Sequence, residues 1–194
     1  MRLILGIGNP GKRYLYTRHN AGFLLLDHYA QKNSLLFKAS KNDYYFAEGK
    51  TADCGFSLIK PSTYVNNSGI AALQAMEEFN VQITDLLVIA DDVNLETGKF
   101  RIRANGGDGG HNGMNSIIYH LNSDNFPRLR IGIGNDFGRG KMADYVLSTF
   151  SIEEERLISK VFDDTLVLID EFIKLGTKGM LDANSKMPDN QQEK

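Results

Sequence analysis

The chain has 194 residues, 42% of them hydrophobic, with a net charge of −2 at neutral pH and one cysteine, Cys54. That length fits one ordinary domain with a substantial core, and a lone cysteine excludes an internal disulfide framework. The apolar stretches are too short to span a bilayer, and Met1-Arg2-Leu3 leads into a glycine-broken apolar run instead of a signal sequence, so a soluble protein of the cytoplasm is expected.

Leu3-Ile4-Leu5-Gly6-Ile7 is a short continuous apolar run, the pattern of a strand buried on both faces. Gly8-Asn9-Pro10-Gly11 and then Thr17-Arg18-His19-Asn20-Ala21-Gly22 lead from it into a helical pattern at about Ala21–Gln31. Strand patterns at Tyr44–Thr51 and Phe56–Lys60 come next, then Tyr64-Val65-Asn66-Asn67-Ser68-Gly69 and a helix over Gly69–Phe79. Leu86–Ala90 reads as a second central strand, ended by Asp91. Phe100–Arg103 alternates apolar with basic residues, as a half-exposed strand does. The glycine-rich run Gly106-Gly107-Asp108-Gly109-Gly110-His111-Asn112-Gly113 opens a helix over Asn112–Leu121, and Leu129–Ile133 is a further strand. Ser151 and Glu154 form a capping box for a long amphipathic helix through Phe172, which Gly176 is expected to stop. Interleaved elements of this kind predict a single-domain α/β fold, a mixed and mostly parallel twisted sheet with helices on both faces. The domain is expected to span residues 1–180, with 181–194 a polar, disordered tail.

Three of these segments place asparagine beside glycine where a hydrophobic run has stopped. Asparagine offers both donors and an acceptor without titrating, so several asparagines with one histidine suit a pocket for a polar substrate. Gly6-Ile7-Gly8-Asn9-Pro10-Gly11 fits the dinucleotide pattern, but Pro10 lacks the N–H such a loop aims at a pyrophosphate, and Asp27 falls within a helix. His19, at a helix start beyond the first strand, stands where open α/β sheets bind ligands. His28 and His120 lie in helical patterns and read as structural. Asp91 is either a turn or cap residue, half of an Asp91-Asp92 metal pair, or, beside His19, the carboxylate that fixes its tautomer. No other cluster has metal-ligand spacing, no serine lies in a nucleophile elbow, and Cys54 lacks a neighbouring histidine. Water activated by a His–Asp pair is the expected attacker, suited to a reactive acyl bond such as an ester. The glycine run is either a loose turn or a set of exposed backbone N–H groups for an oxyanion or a phosphate.

Charge is uneven along the chain. Lys99–Lys141 holds seven basic residues against three acidic, and Ser151–Lys194 six against ten. One basic surface facing a polyanion is expected, a solvated face without a partner being the alternative.

Taken together, Asn-Pro-Gly after the first strand, Tyr14, Thr17-Arg18-His19-Asn20-Ala21-Gly22, Lys60-Pro61-Ser62-Thr63-Tyr64-Val65-Asn66-Asn67-Ser68-Gly69, Gly109-Gly110-His111-Asn112-Gly113 and Arg128-Leu129-Arg130-Ile131-Gly132-Ile133-Gly134 resemble the bacterial peptidyl-tRNA hydrolase family, in order and spacing, from Leu3 to about Gly179. The resemblance implies a monomer without metal or cofactor that hydrolyses the ester between a peptide and the tRNA 3′ ribose. The implied partner is a tRNA carrying a peptidyl group, with stalled ribosomal subunits as a second candidate. It implies His19 as catalytic base, Asp91 as its supporting acid, and Asn9 as the group that distinguishes a blocked α-amine, its carbonyl accepting a peptide N–H. Tyr14, Tyr64, Asn66 and Asn112 would contact the tRNA end and the peptide, Asn112 also holding the water or the oxyanion. Arg103, Arg130, Arg139 and Lys141, with Arg101 nearby, would grip tRNA phosphates. Val65 departs from the methionine common in the family, and Asn94 from an acid.

Overall fold

The computed structural model describes residues 1–51 and 54–188. Its strands are β1 (Arg2–Gly6), β2 (Lys38–Ala39), β3 (Tyr44–Thr51), β4 (Cys54–Pro61), β5 (Leu86–Asp92), β6 (Phe100–Arg103) and β7 (Arg128–Gly132), in one seven-stranded sheet of order β2-β3-β4-β1-β5-β7-β6. The helices are α1 (Ala21–Lys32), α2 (Ser68–Phe79), α3 (Asn112–Leu121), α4 (Met142–Val146) and α5 (Ile152–Asn184). The sheet is parallel only in its centre: β4, β1, β5 and β7 run together, while β2, β3 and β6 pair antiparallel at the edges. The sheet is therefore mixed, as expected, with its parallel pairings in the centre and its antiparallel ones at the edges. Apolar continuity marks the central strands and carries no direction for the edges.

Strand alternation divides the core. Ile4, Leu87, Ile89, Leu129 and Ile131 pack on one face with Leu25, Leu26 and Tyr29 of α1 and Ile169, Phe172 and Ile173 of α5. Leu3, Leu5, Leu86, Val88 and Ala90 face the other way onto Ala71, Ala72 and Ala75 of α2 and Met114 and Ile117 of α3. Each fully buried leucine or isoleucine contributes about 1.5–3 kcal/mol of transfer free energy, so the central strands anchor both layers. α1 lies very close to the sheet at Gly22, where an added Cβ would come within 2.6 Å of backbone atoms of Ile7 and Ile89. A side chain there would lift the start of α1, and His19 with it, away from β1 and β5.

The capping box at Ser151 and Glu154 is present. Gly176 breaks the helical path with φ 70°, as expected of a stop, yet the helix resumes and runs to Asn184. Met180 is fully buried, and Leu181, Ala183 and Met187 pack on the core. The expected tail from residue 181 thus begins as packed helix, while its end, residues 189–194, lies outside the described residues. Among the described residues no helix is long and apolar enough to cross a membrane.

Candidate active site

The carboxyl ends of β1 and β5 open together where the chain changes its direction of travel across the sheet, the place where α/β sheets bind ligands. His19 sits there on a 3₁₀ turn, Arg18–Asn20, that leads into α1. Asp91 is the penultimate residue of β5 and is 2% exposed. The Nδ1 of His19 lies 2.9 Å and 3.0 Å from the two oxygens of Asp91. That contact leaves Nε2 as the basic nitrogen. Burial works to lower the His19 pKa, but the charge and hydrogen bond of Asp91 outweigh it and the pKa is raised above 6.5. Burial likewise works to raise Asp91, but the two imidazoles beside it hold its carboxyl far below the usual range.

The second imidazole belongs to His111, which had no role in the sequence reading. Its Nε2 lies 2.9 Å from Asp91 Oδ1. Its Nδ1 accepts from the backbone N–H groups of Gly113 and Met114 at 3.1 and 3.2 Å, so the ring is the N-cap of α3. Nδ1 therefore carries the lone pair and Nε2 the hydrogen, and the tautomer is set by the helix. The signal was a ring-bearing residue at an N-cap position directly behind a glycine pair, where Ser, Asp or Asn is usual.

His19, Asp91 and His111 are also the described side chains whose donor atoms, within 4.8 Å of one another, could hold a metal. The hydrogen-bond pattern does not suit one: with Nδ1 capping α3, the His111 Nε2 bears its hydrogen and has no lone pair to give. Asp92 is not half of a metal pair either. Its Oδ2 lies 3.3 Å from Arg101 and 3.2 Å from Arg130, and its Oδ1 accepts from the Asn94 N–H at 2.9 Å.

A cleft of about 440 Å³ gathers Asn9, His19, Asn66, Asp91, His111 and Asn112, with an apolar wall of Val65, Val93, Met142, Val146 and Leu147. α4, too short for a periodicity signal, supplies Met142 and Val146 of that wall, and Leu147 follows it directly. Among its described lining residues there is no serine, threonine, cysteine or lysine. Tyr14 and Tyr64 do not line it. They pack edge to face with centroids 6.2 Å apart, Tyr64 is 53% exposed, and its chain neighbour Val65 forms part of the wall.

Asn9 lines the cleft, and its Oδ1 accepts from the Val65 N–H at 3.0 Å in a buried contact, which leaves that oxygen a second lone pair for a further donor. The glycine run also differs from an open set of donors. Gly110 and His111 donate their N–H groups to Asp108, and Gly113 and Met114 donate to the His111 ring. Gly109 takes φ 63°, and a Cβ there would meet the Arg130 guanidinium at 2.7 Å. The run is thus a built loop with its helix already capped.

Two of the seven basic residues counted between Lys99 and Lys141 are inside the protein. Arg128 is 1% exposed and donates to the carbonyls of Gly106, Gly107, Asp124 and Phe126. Arg130 is 6% exposed, pairs with Asp92 and donates to the carbonyls of Gly107 and Asp108. Both hold the glycine loop from beneath, and Arg130, expected to grip phosphate, also lines the cleft. A charge count cannot distinguish a buried strand arginine from a surface one. Arg103, Arg139 and Lys141 are exposed. Lys141 immediately precedes α4 at the cleft, whereas Arg103 pairs with Arg128, three residues along the sheet from the level of Asp91.

Arg18, beside the proposed base, forms a bidentate pair with Glu154, both contacts 2.7 Å, and donates to the Ile133 carbonyl at 3.3 Å and to Ser148 Oγ at 3.2 Å. Its guanidinium lies 4.4 Å from the Tyr145 ring centroid and 4.9 Å from that of Phe150. The turn bearing His19 is thereby tied to the start of α5.

A buried carboxylate that orients an imidazole in a cleft without a side-chain nucleophile, at the switch point of an α/β sheet, defines a general-base hydrolase. The family model for peptidyl-tRNA hydrolase matches residues 3–193. The chain belongs to the peptidyl-tRNA hydrolase family. It is 41% identical to a peptidyl-tRNA hydrolase of Pseudothermotoga lettingae over 186 residues, covering 95% of this chain and 97% of the relative. It is 45% identical to one of Lachnospira eligens over 154 residues, covering 79% and 83%. The crystal structure of peptidyl-tRNA hydrolase from Acinetobacter baumannii superposes with a TM-score of 0.87 at 30% identity, covering 95% of each chain.

Proposed function

We propose that the protein hydrolyses the ester joining a peptide, or an N-blocked aminoacyl group, to the 3′ ribose of tRNA, with His19 as general base on water. The observation that carries this is the convergence of His19 and His111 on the buried Asp91. With Nδ1–H held by the carboxylate, Nε2 takes a proton from water as its oxygen attacks the ester carbonyl. The imidazolium, stabilised by Asp91, then returns that proton to the departing ribose oxygen. An ester leaving group needs little further help, which suits a site without a covalent nucleophile.

The apolar wall formed with α4 suits the peptide, and Asn66 and Asn112, which also line the cleft, suit the polar 3′ end. In this assignment Tyr14 and Tyr64 flank the nucleotide end, Asn112 holds the water or the oxyanion, and exposed Arg139, Lys141 and Arg103 meet tRNA phosphates. Phosphate contacts fix register without reading sequence, which suits an enzyme acting on every tRNA. In this reading the protein acts as a monomer with a single catalytic domain, and one cysteine without a disulfide suits the reducing cytoplasm. Stalled ribosomal subunits are the source of substrate in this reading.

Turnover of N-acetyl-aminoacyl-tRNA by wild type and His19→Ala tests the assignment. A fall of about 10²-fold or more is expected for a lost general base, and undiminished turnover would defeat it.

A further inference from the structure

α4 brings Met142 and Val146 to the cleft, yet none of its five residues is buried. A helix this short has little stability of its own and depends on what holds it. Two of its side chains carry strong hydrogen-bonding groups. Asp144 pairs with Lys141 directly before the helix, whereas the Tyr145 hydroxyl reaches the sheet and donates to the Ile133 carbonyl at 2.7 Å. Gly134 makes room for that hydroxyl: it takes φ 76°, and a Cβ there would lie 3.0 Å from the phenol oxygen. Burial raises the phenol pKa above its ordinary value, so the group stays a donor. The same carbonyl accepts from Arg18 Nη1 at 3.3 Å, and the Arg18 guanidinium lies over the Tyr145 ring. Past the end of α4, Ser148 Oγ donates to the Tyr145 carbonyl at 2.7 Å and accepts from Arg18 Nε at 3.2 Å. Tyr145 thus ties the apolar wall to the sheet and to the turn that bears His19.

We propose that Tyr145 is a positioning residue for substrate selection: its hydroxyl holds α4 in place so that Met142, Val146 and Leu147 present a fixed apolar surface, and the enzyme thereby favours esters whose acyl residue has a bulky apolar side chain. This rests on the ester-hydrolase reading above. The scissile carbonyl must lie within reach of His19, and the same cleft holds the α4 wall, so a side chain on the adjoining carbon has apolar surface to meet. A glycyl ester has nothing to place there. The contact forms on binding and persists through the reaction, so it lowers KM and leaves kcat alone.

Tyr145→Phe deletes the hydroxyl and keeps the ring. The Ile133 carbonyl retains Arg18 as a donor, so no buried acceptor is orphaned and the urea midpoint should stay near that of wild type. Wild type should hydrolyse N-acetyl-phenylalanyl-tRNA with kcat/KM about tenfold or more above that for N-acetyl-glycyl-tRNA. In Tyr145→Phe, KM for the phenylalanyl substrate should rise about fivefold or more, with the glycyl substrate changed by less than about twofold. The acid limb of kcat/KM should not move, because the contact between His19 and Asp91 is untouched. Equal losses on the two substrates, a fall confined to kcat or a displaced acid limb would overturn the proposal. Val146→Ala trims the wall itself; it should raise KM for the phenylalanyl substrate and add little in the Tyr145→Phe background. Full additivity would remove Tyr145 from its positioning role. If wild type hydrolyses both substrates equally well, selection by the wall fails while the ester reading stands. If wild type hydrolyses neither, the ester reading fails as well.

Discussion

The Nε2 of His111 lies 2.9 Å from an oxygen of Asp91 that the ring of His19 also approaches to 2.9 Å. A carboxylate that accepts from two imidazoles is held charged, and the helix that His111 caps is thereby linked to the base. Replacement of His111 by asparagine separates these two duties. Asparagine is a good N-cap but too short to reach Asp91. His111→Asn should therefore keep the stability of α3 while turnover falls about tenfold or more, the worth of a hydrogen bond to a charged group. His111→Ala should lose about 1 kcal/mol of stability in addition. Equal activity of wild type and the Asn variant would show that the contact with Asp91 is idle.

The raised pKa of His19 sets a pH dependence. A base acts when unprotonated, so kcat/KM should rise with pH through an ionisation above 6.5 and then level off. In Asp91→Asn the burial that lowers the pKa remains while the charge that raises it is gone. The acid limb should then move to lower pH and the plateau fall roughly 10²–10⁴-fold, since the tautomer is no longer held. An acid limb that stays in place would break the link between the two residues. For stability the signs are opposite. His19, raised on folding, stabilises below its unfolded pKa and loses that contribution as pH rises through its folded one. Asp91, depressed on folding, stabilises above its unfolded pKa, and the contribution disappears as pH falls toward its folded one.

Burial divides the arginines into two classes. Arg139→Ala, at an exposed site, should weaken binding of all tRNAs alike and lower the slope of log K against log salt by about one phosphate's worth. Arg128→Met should leave that slope unchanged and cost about 1–3 kcal/mol for each loop carbonyl left without a partner. Salt titrations of tRNA binding together with urea unfolding of the two variants decide the matter; a changed slope for Arg128→Met would return that residue to the surface.

Glu154 serves the α5 capping box and Arg18 at once. Glu154→Ala leaves the Arg18 guanidinium, 7% exposed as a residue, without its carboxylate. A loss of about 3–5 kcal/mol in urea unfolding is expected from breaking a largely buried pair. A loss below about 1 kcal/mol, as for an exposed pair, would mean that Arg18 finds another partner.

Local chemistry was legible in the sequence, and long-range polarity was not. The apolar runs of β1 and β5, the capping box at Ser151 and Glu154, and the placement of His19 and Asp91 beyond two central strands all rest on near neighbours and strand ends. The state of Asn9 rests on a backbone N–H 56 positions away, and no spacing rule encodes which end of an amide faces inward. Arg128 and Arg130 alternate as surface residues would, but here the glycine loop folds over them. His111 was visible as a letter inside a glycine motif, and only the path of α3 shows that one ring nitrogen caps a helix while the other meets Asp91. β2 and α4 have too few residues for a period to register, and Gly176 reads as an end because a break and a stop carry the same local signature.

The bond between residues 18 and 154 spans 136 positions, so the earliest loop to be synthesised waits for the last helix. A nascent chain can form its first strand and the turn that follows it, yet the Arg18 guanidinium of that turn has no carboxylate to pair with until α5 has emerged. Fragments ending before residue 154 should thus carry the imidazole beside Asp91 with the neighbouring arginine unpaired.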